Sequence, residues 1–106
     1  MESVIAVFIS IPRDEARPMA KGLIENRLGA CVNILPQIES YFWWDDKVDF
    51  DEEALLIVKT SQEKFSELQA YVRENHPLEL PEIIAVPLVD AFKDYVNWVR
   101  DETMNK

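Results

Sequence analysis

The 106-residue sequence predicts an α+β sandwich, one antiparallel sheet covered by helices, in the order βαββαβ with a further C-terminal helix. Three observations carry that expectation. Strand-like apolar runs alternate with helical periodicity in this order along the chain. Two of the runs, residues 30–44 and 47–60, flank an acidic turn and form one elongated hairpin. No linker interrupts the sequence, so residues 1–106 are expected to form a single domain.

The first strand is expected from Ser3 to Ile11. Its run Val4-Ile5-Ala6-Val7-Phe8-Ile9 is continuous, apolar and rich in β-branched residues, the pattern of a central strand with both faces buried. From Asp14 the period becomes helical: Ala16, Met19, Ala20, Leu23, Ile24 and Leu28 share one face, with Lys21, Glu25 and Arg27 away from it. Asp14 is the expected N-cap, Pro18 lies close to the first turn, and Gly29 can end the helix in the left-handed conformation, which gives a helix over 14–28.

Residues 30–41 read as a strand interrupted by Pro36, which cannot donate to a ladder and so marks a bulge or an edge. Asp45 and Asp46 supply the turn, Val48-Asp49-Phe50 alternates, and Ala54-Leu55-Leu56-Ile57-Val58 returns to a fully buried pattern. Thr60-Ser61-Gln62-Glu63 has the spacing of a capping box. Phe65, Leu68 and Val72 then make the buried stripe of a second helix, with Tyr71 beside it, ending near Asn75 because Pro77 disfavours helical geometry at His76. A strand over 83–89 and a last helix with Phe92, Tyr95, Val96 and Val99 on one face, Trp98 at its margin, complete the chain. With right-handed crossovers this order is that of a ferredoxin-like sandwich.

The hairpin is too long for the rest of the sheet. Each arm can reach roughly 45 Å at about 3.3 Å per residue, twice the reach of either remaining strand. Tyr41, Phe42, Trp43 and Trp44 would leave an unpaired apolar overhang inviting aggregation. Strand length therefore predicts self-association, with the overhangs of other copies as the cover and these four aromatic residues at the interface.

Composition narrows the function. Hydrophobic residues make up 48% of the chain, enough for a folded core. Twenty acidic against eleven basic residues give a net charge of −9, a field that repels nucleic acid and anionic membranes. The single cysteine, Cys31, excludes an internal disulfide and fits a reducing compartment. The apolar start lacks the basic leader and cleavage site of a signal peptide, and no apolar run is long enough to span a bilayer, so a cytoplasmic protein is expected.

Five motifs in one order give the chain a family resemblance: Gly29-Ala30-Cys31-Val32-Asn33; Tyr41-Phe42-Trp43-Trp44 followed by Lys47; Glu53-Ala54-Leu55-Leu56-Ile57-Val58-Lys59-Thr60; the stretch from His76-Pro77-Leu78-Glu79 through Leu80-Pro81-Glu82-Ile83; and Tyr95-Val96-Asn97-Trp98-Val99. Together they resemble the CutA-type divalent-cation tolerance proteins over nearly the whole length. The resemblance implies a compact homotrimer of ferredoxin-like protomers with hairpins paired across subunits. It also implies an architecture similar to the PII signal proteins, a link to copper and other divalent metals, and no enzymatic activity. Asp46 stands where the family usually has glycine, and Leu78 where it usually has tyrosine, which removes a phenol from the loop after His76.

A durable copper or zinc site needs several imidazole or thiolate ligands, and the chain has one His and one Cys. Relatives proposed to bind copper place ligands near the end of the first strand and at His-His-Pro; here those stretches read Ile9-Ser10-Ile11 and Asn75-His76-Pro77. The metal candidates are therefore His76 with Glu79 and Glu82, against a structural reading in which His76 ends the second helix and hydrogen-bonds locally. Cys31 reads as a small hydrophobe in a strand. The six carboxylates between Asp45 and Glu53 read as a solvated hairpin tip. Lys59, His76, Glu79, Tyr95 and Trp98 are candidates for a ligand cleft between subunits, the alternative function being small-molecule sensing. Acylphosphatases share the strand order, but their arginine sits in a glycine-bearing loop, whereas Pro12-Arg13-Asp14 has no glycine; a hydrolase is the remotest alternative.

Overall fold

The computed structural model describes residues 4–104. The elements run β1 (Val4–Ile11), α1 (Arg13–Glu25), β2 (Cys31–Trp44), β3 (Lys47–Ser61), a 3₁₀ turn (Gln62–Lys64), α2 (Phe65–Asn75), β4 (Ile83–Pro87) and α3 (Lys93–Thr103). All four strands join one antiparallel sheet in the order β2-β3-β1-β4. β1 is internal, as its unbroken apolar run requires; Ser3, assigned to it from sequence, lies outside the described residues.

One sheet face carries α1, α2 and the main core. Val7, Ile9, Ile11, Leu56 and Val58 meet Leu23 of α1 and Leu68 and Val72 of α2, all fully buried. Each such side chain contributes about 1.5–3 kcal/mol relative to exposure. Gly22 lets the two helices approach, since a Cβ there would collide with the Tyr71 hydroxyl. On the opposite face α3 covers only one end, packing Val96 and Val99 on Val4 and Ala30. Beyond α3, Leu35 and Ile84 are exposed and Phe8, Leu55 and Ile57 only partly covered.

The hairpin projects as expected. β1 pairs with β3 only between Ala54 and Ser61, so the outer half of the hairpin is a two-stranded ribbon, and the molecule measures 44 Å along its longest axis against 26 and 22 Å. Asp45 and Asp46 have φ of 58° and 60°, the pair of left-handed residues a two-residue type I′ turn requires. At Pro36 the pairing slips by one residue between Leu35 and Ile38, the bulge read from the sequence. Inside the bulge Val32 and Ile34 pair with Val58 and Leu56 on the helix side; outside it Ser40 and Phe42 pair with Asp51 and Asp49, on the other face.

Several local expectations are corrected. α1 begins at Arg13 after Pro12, so Asp14 lies in its first turn and makes no cap, and Pro18 stands inside the helix. It ends three residues early, and Ile24 is exposed. The terminator is Arg27 at φ 59°: Leu28 N–H donates to Leu23 O and Arg27 N–H to Ile24 O, a Schellman motif without glycine. Gly29 instead serves close packing, because a Cβ there would press into Val58 Cγ1. Thr60 does not cap α2; it is a buried strand residue whose hydroxyl has no hydrogen-bond partner among the described residues, and the 3₁₀ turn intervenes. β4 stops at Pro87, and Phe92 is the extended residue before α3, 73% exposed rather than on its buried face.

Candidate functional site

The site is built around the loop that follows α2. His76 ends the helix with its N–H on Val72 O and turns extended, as the following proline demands. Its ring is buried: the Leu78 N–H donates to Nδ1 at 3.1 Å, and Nε2 lies 2.8 Å from Ser10 O. A backbone N–H can only donate, so Nδ1 accepts and Nε2 carries the proton given to Ser10. The imidazole thus pins residues 76–82 to the end of β1.

Held there, the loop and the outer hairpin enclose a cavity of about 750 Å³. Pairing register puts Glu53, Asp51 and Asp49 of β3 on the same ribbon face as Ser40, Phe42 and Trp44 of β2, and the loop adds Leu78, Leu80, Glu79 and Glu82. No Lys, Arg or His lines this space, while Glu39 brings the carboxylates to six. Glu53 is 6% exposed, and among the described residues its carboxylate has no hydrogen bond or ion pair. Arg13 reaches only its backbone carbonyl, at 3.4 Å, and pairs with Glu52 instead at 3.6 Å. The acidic segment is therefore not solely a solvated tip. Sequence reasoning missed Glu53, Asp51 and Asp49 as a set; their period-two spacing was the available signal.

A second cluster lies beside α3. Lys59 is paired across the strands with Cys31, and its ammonium donates to the Asn33 side-chain carbonyl. Tyr95 and Trp98 stack at a tilt, ring centres 5.6 Å apart. Burial, then a hydrogen bond to Cys31 and negative charge on its sulfur, holds the Tyr95 hydroxyl above the ordinary tyrosine range. Lys59 faces Ala6 of β1 whereas His76 bonds to Ser10, four residues and roughly 13 Å further along. Within one chain the five cleft candidates thus divide, with Lys59, Tyr95 and Trp98 together and His76 and Glu79 apart from them.

The candidate metal ligands are not gathered either. Among the described residues no group of three or more His, Cys, Asp or Glu side chains is placed to hold an ion. Glu79 and Glu82 line the acidic cavity from exposed positions, while both nitrogens of His76 are engaged. Of the four aromatic residues, Tyr41 and Trp43 are 70% and 74% exposed, Trp44 is 45% exposed, and Phe42 is half-buried.

A small α+β domain with a projecting ribbon, an open apolar sheet face and an acidic cavity at their junction is the class defined by this fold and site. The chain belongs to the CutA1 divalent ion tolerance protein family, whose model matches residues 5–102. The divalent-cation tolerance protein CutA of Thermus thermophilus is 43% identical over 97% of this chain and 99% of its own. Protein CutA, chloroplastic, of Arabidopsis thaliana is 39% identical over 95% of this chain, which spans only 56% of that relative. The crystal structure of CutA1 from Oryza sativa superposes with a TM-score of 0.94 at 36% identity, covering 99% of this chain and 97% of the other. A structure described as the periplasmic divalent cation tolerance protein CutA from Archaeoglobus fulgidus gives 0.90 at 39% identity, covering 96% and 99%. Among the described residues no helix is long and apolar enough to cross a membrane.

Proposed function

We propose that the protein acts as a homotrimer in divalent-cation tolerance, by binding or interaction and without an enzymatic reaction of its own. The observation that carries the reading is the ribbon beyond Ala54, which has no third strand, next to a sheet face that leaves Leu35 and Ile84 uncovered. Threefold association supplies strand partners for the first and apolar partners for the second, with Tyr41, Phe42, Trp43 and Trp44 as contact residues. The names of the relatives supply the link to divalent cations. Copper or zinc would engage His76, with Glu79 and Glu82 or a neighbouring copy completing the set. At His76 Nδ1 the metal would have to displace the Leu78 N–H, so binding there loosens the loop.

A second reading, a small-molecule sensor similar to the PII proteins, is favoured by the cluster of Lys59, Asn33, Cys31, Tyr95 and Trp98 beside α3. A cytoplasmic setting belongs to both readings. Light scattering tests the assembly: a mass near 37 kDa, three times 12.3 kDa, is expected, and a stable 12.3 kDa species at micromolar concentration overturns it. Calorimetric titration of that species with Cu²⁺, Zn²⁺ and a nucleotide panel separates the two readings.

A further inference from the structure

We infer that the cluster beside α3 binds a small planar aromatic carboxylate, with the carboxylate on Lys59 and Asn33 and the ring against Tyr95 and Trp98. This assignment rests on the small-molecule sensor reading and supplies its ligand class. The chain has 20 acidic residues, yet among the described residues none lies within ion-pair reach of the Lys59 ammonium, whose partner is the neutral side-chain carbonyl of Asn33. Lys59 is half-buried, with Ala6 opposite it on β1, Val86 next to Ala6 on β4, and Ile57 two residues before it on the same face. A half-buried cation without a counter-charge is unfavourable, and an anion that accepts its hydrogen bonds offsets that cost.

Hydrogen-bonding capacity and ring placement narrow the anion. Lys59 keeps two ammonium protons after its bond to Asn33. Asn33 spends its carbonyl on Lys59, so its NH₂ is left to donate, and among the described residues no acceptor takes it. One ammonium balances one carboxylate, whereas a polyphosphate would bring further negative charge into the field of a chain at −9. Tyr95 is hydrogen-bonded to Cys31, which lies directly across the strands from Lys59, where opposite Cβ atoms are about 4.5–5.5 Å apart. Rings and ammonium therefore stand within the length of one small molecule. Tyr95 and Trp98, ring centres 5.6 Å apart and 33° from parallel, are 38% and 43% exposed, which leaves ring surface for a planar ligand. Every residue of the site belongs to one chain, and none is among the hairpin aromatic residues assigned to contacts between copies.

Calorimetric titration of the purified, assembled protein with 2-naphthoate tests the inference, with cyclohexanecarboxylate as the charge without the ring and 2-naphthamide as the ring without the charge. Saturable binding of naphthoate is expected, weaker by about threefold or more for the saturated acid and by about tenfold or more for the amide. Lys59→Gln should reduce naphthoate affinity about tenfold or more, the loss of a charge-assisted hydrogen bond. Trp98→Leu, at an exposed position of α3, should reduce it about threefold or more and decides the matter should Lys59→Gln fail to fold. Undiminished affinity in either variant overturns the inference, as does equal binding of the three compounds. A Lys59→Gln protein that loses its assembled mass in light scattering overturns it as well, because the counter-charge of Lys59 is then a carboxylate of another copy. Nucleotide binding without naphthoate binding overturns the inference and keeps the sensor reading, and absence of both ends the two together.

Discussion

Nη1 of Arg27 donates both to the carboxylate of Glu102, at 2.7 Å, and to its backbone carbonyl, at 3.1 Å. One guanidinium nitrogen thereby ties the left-handed terminator of α1 to the end of α3. A non-glycine residue in left-handed geometry is unfavourable, and this link offsets part of the strain. Arg27→Ala removes the link and keeps the strain. We expect a loss of about 1 kcal/mol, small because both side chains are partly solvated, in urea unfolding at fixed protein concentration. An unchanged midpoint would mean that the Schellman bonds alone hold the turn.

Gly22→Ala should be among the more damaging single-methyl additions in the chain. The new Cβ meets the Tyr71 phenol where α1 crosses α2, and overpacking of this kind costs about 1–3 kcal/mol. The pair is coupled: Tyr71→Phe takes away the nearest atom, so the double variant should recover part of the loss. Additive losses in thermal melts would place the damage elsewhere.

His76 has a structural task that is measurable without metal. In His76→Ala the Ser10 carbonyl and the Leu78 N–H both lose their partner, a cost of roughly 1–3 kcal/mol for buried groups left unsatisfied. Hydrogen exchange should speed up in residues 78–82 before it does in the core. Uniform acceleration throughout the chain would argue against a local pin.

Tyr95 sets an alkaline limit. Its folded-state pKa lies above the unfolded value of about 10, so the native state holds the phenolic proton more tightly. The stability this contributes is present in full below pH 10 and is lost as pH rises toward the folded pKa. Difference absorbance titration of the native protein against Tyr95→Phe should show a phenolate forming above pH 10. A difference curve centred below 10 contradicts the burial argument.

The strands were legible because their signals are local: the hairpin arms end within a residue or so of where the apolar pattern stops, and Asp45-Asp46 and Pro36 mark turn and bulge by backbone chemistry alone. The end of α1 was not, since Gly29 looked like a terminator while its actual use is contact with Val58, a residue distant in sequence. Thr60 misled for the same reason: its capping spacing is overridden by pairing with Ile5 deep in the sheet. At the candidate site, His76 was visible as a helix end, but its bond to Ser10 depends on tertiary placement. Glu53 was hidden among five neighbouring acids, because burial of one carboxylate in a run depends on which face the loop covers.

The extra residue at Pro36 decides more than local curvature. Side chains alternate along a strand, so inserting one position exchanges odd for even in everything that follows. Val32 and Ile34 accordingly face the helices as even-numbered residues, whereas beyond the bulge Tyr41 and Trp43, opposite Phe50 and Val48, share that side and Phe42 and Trp44 share the carboxylate side. Removing the extra residue would merge the two registers and leave Phe42 opposite Asp49 and Trp44 opposite Lys47, so the insertion lets one continuous β3 serve two opposite numberings of β2, while the turn at Asp45-Asp46 decides which rings lie on which side.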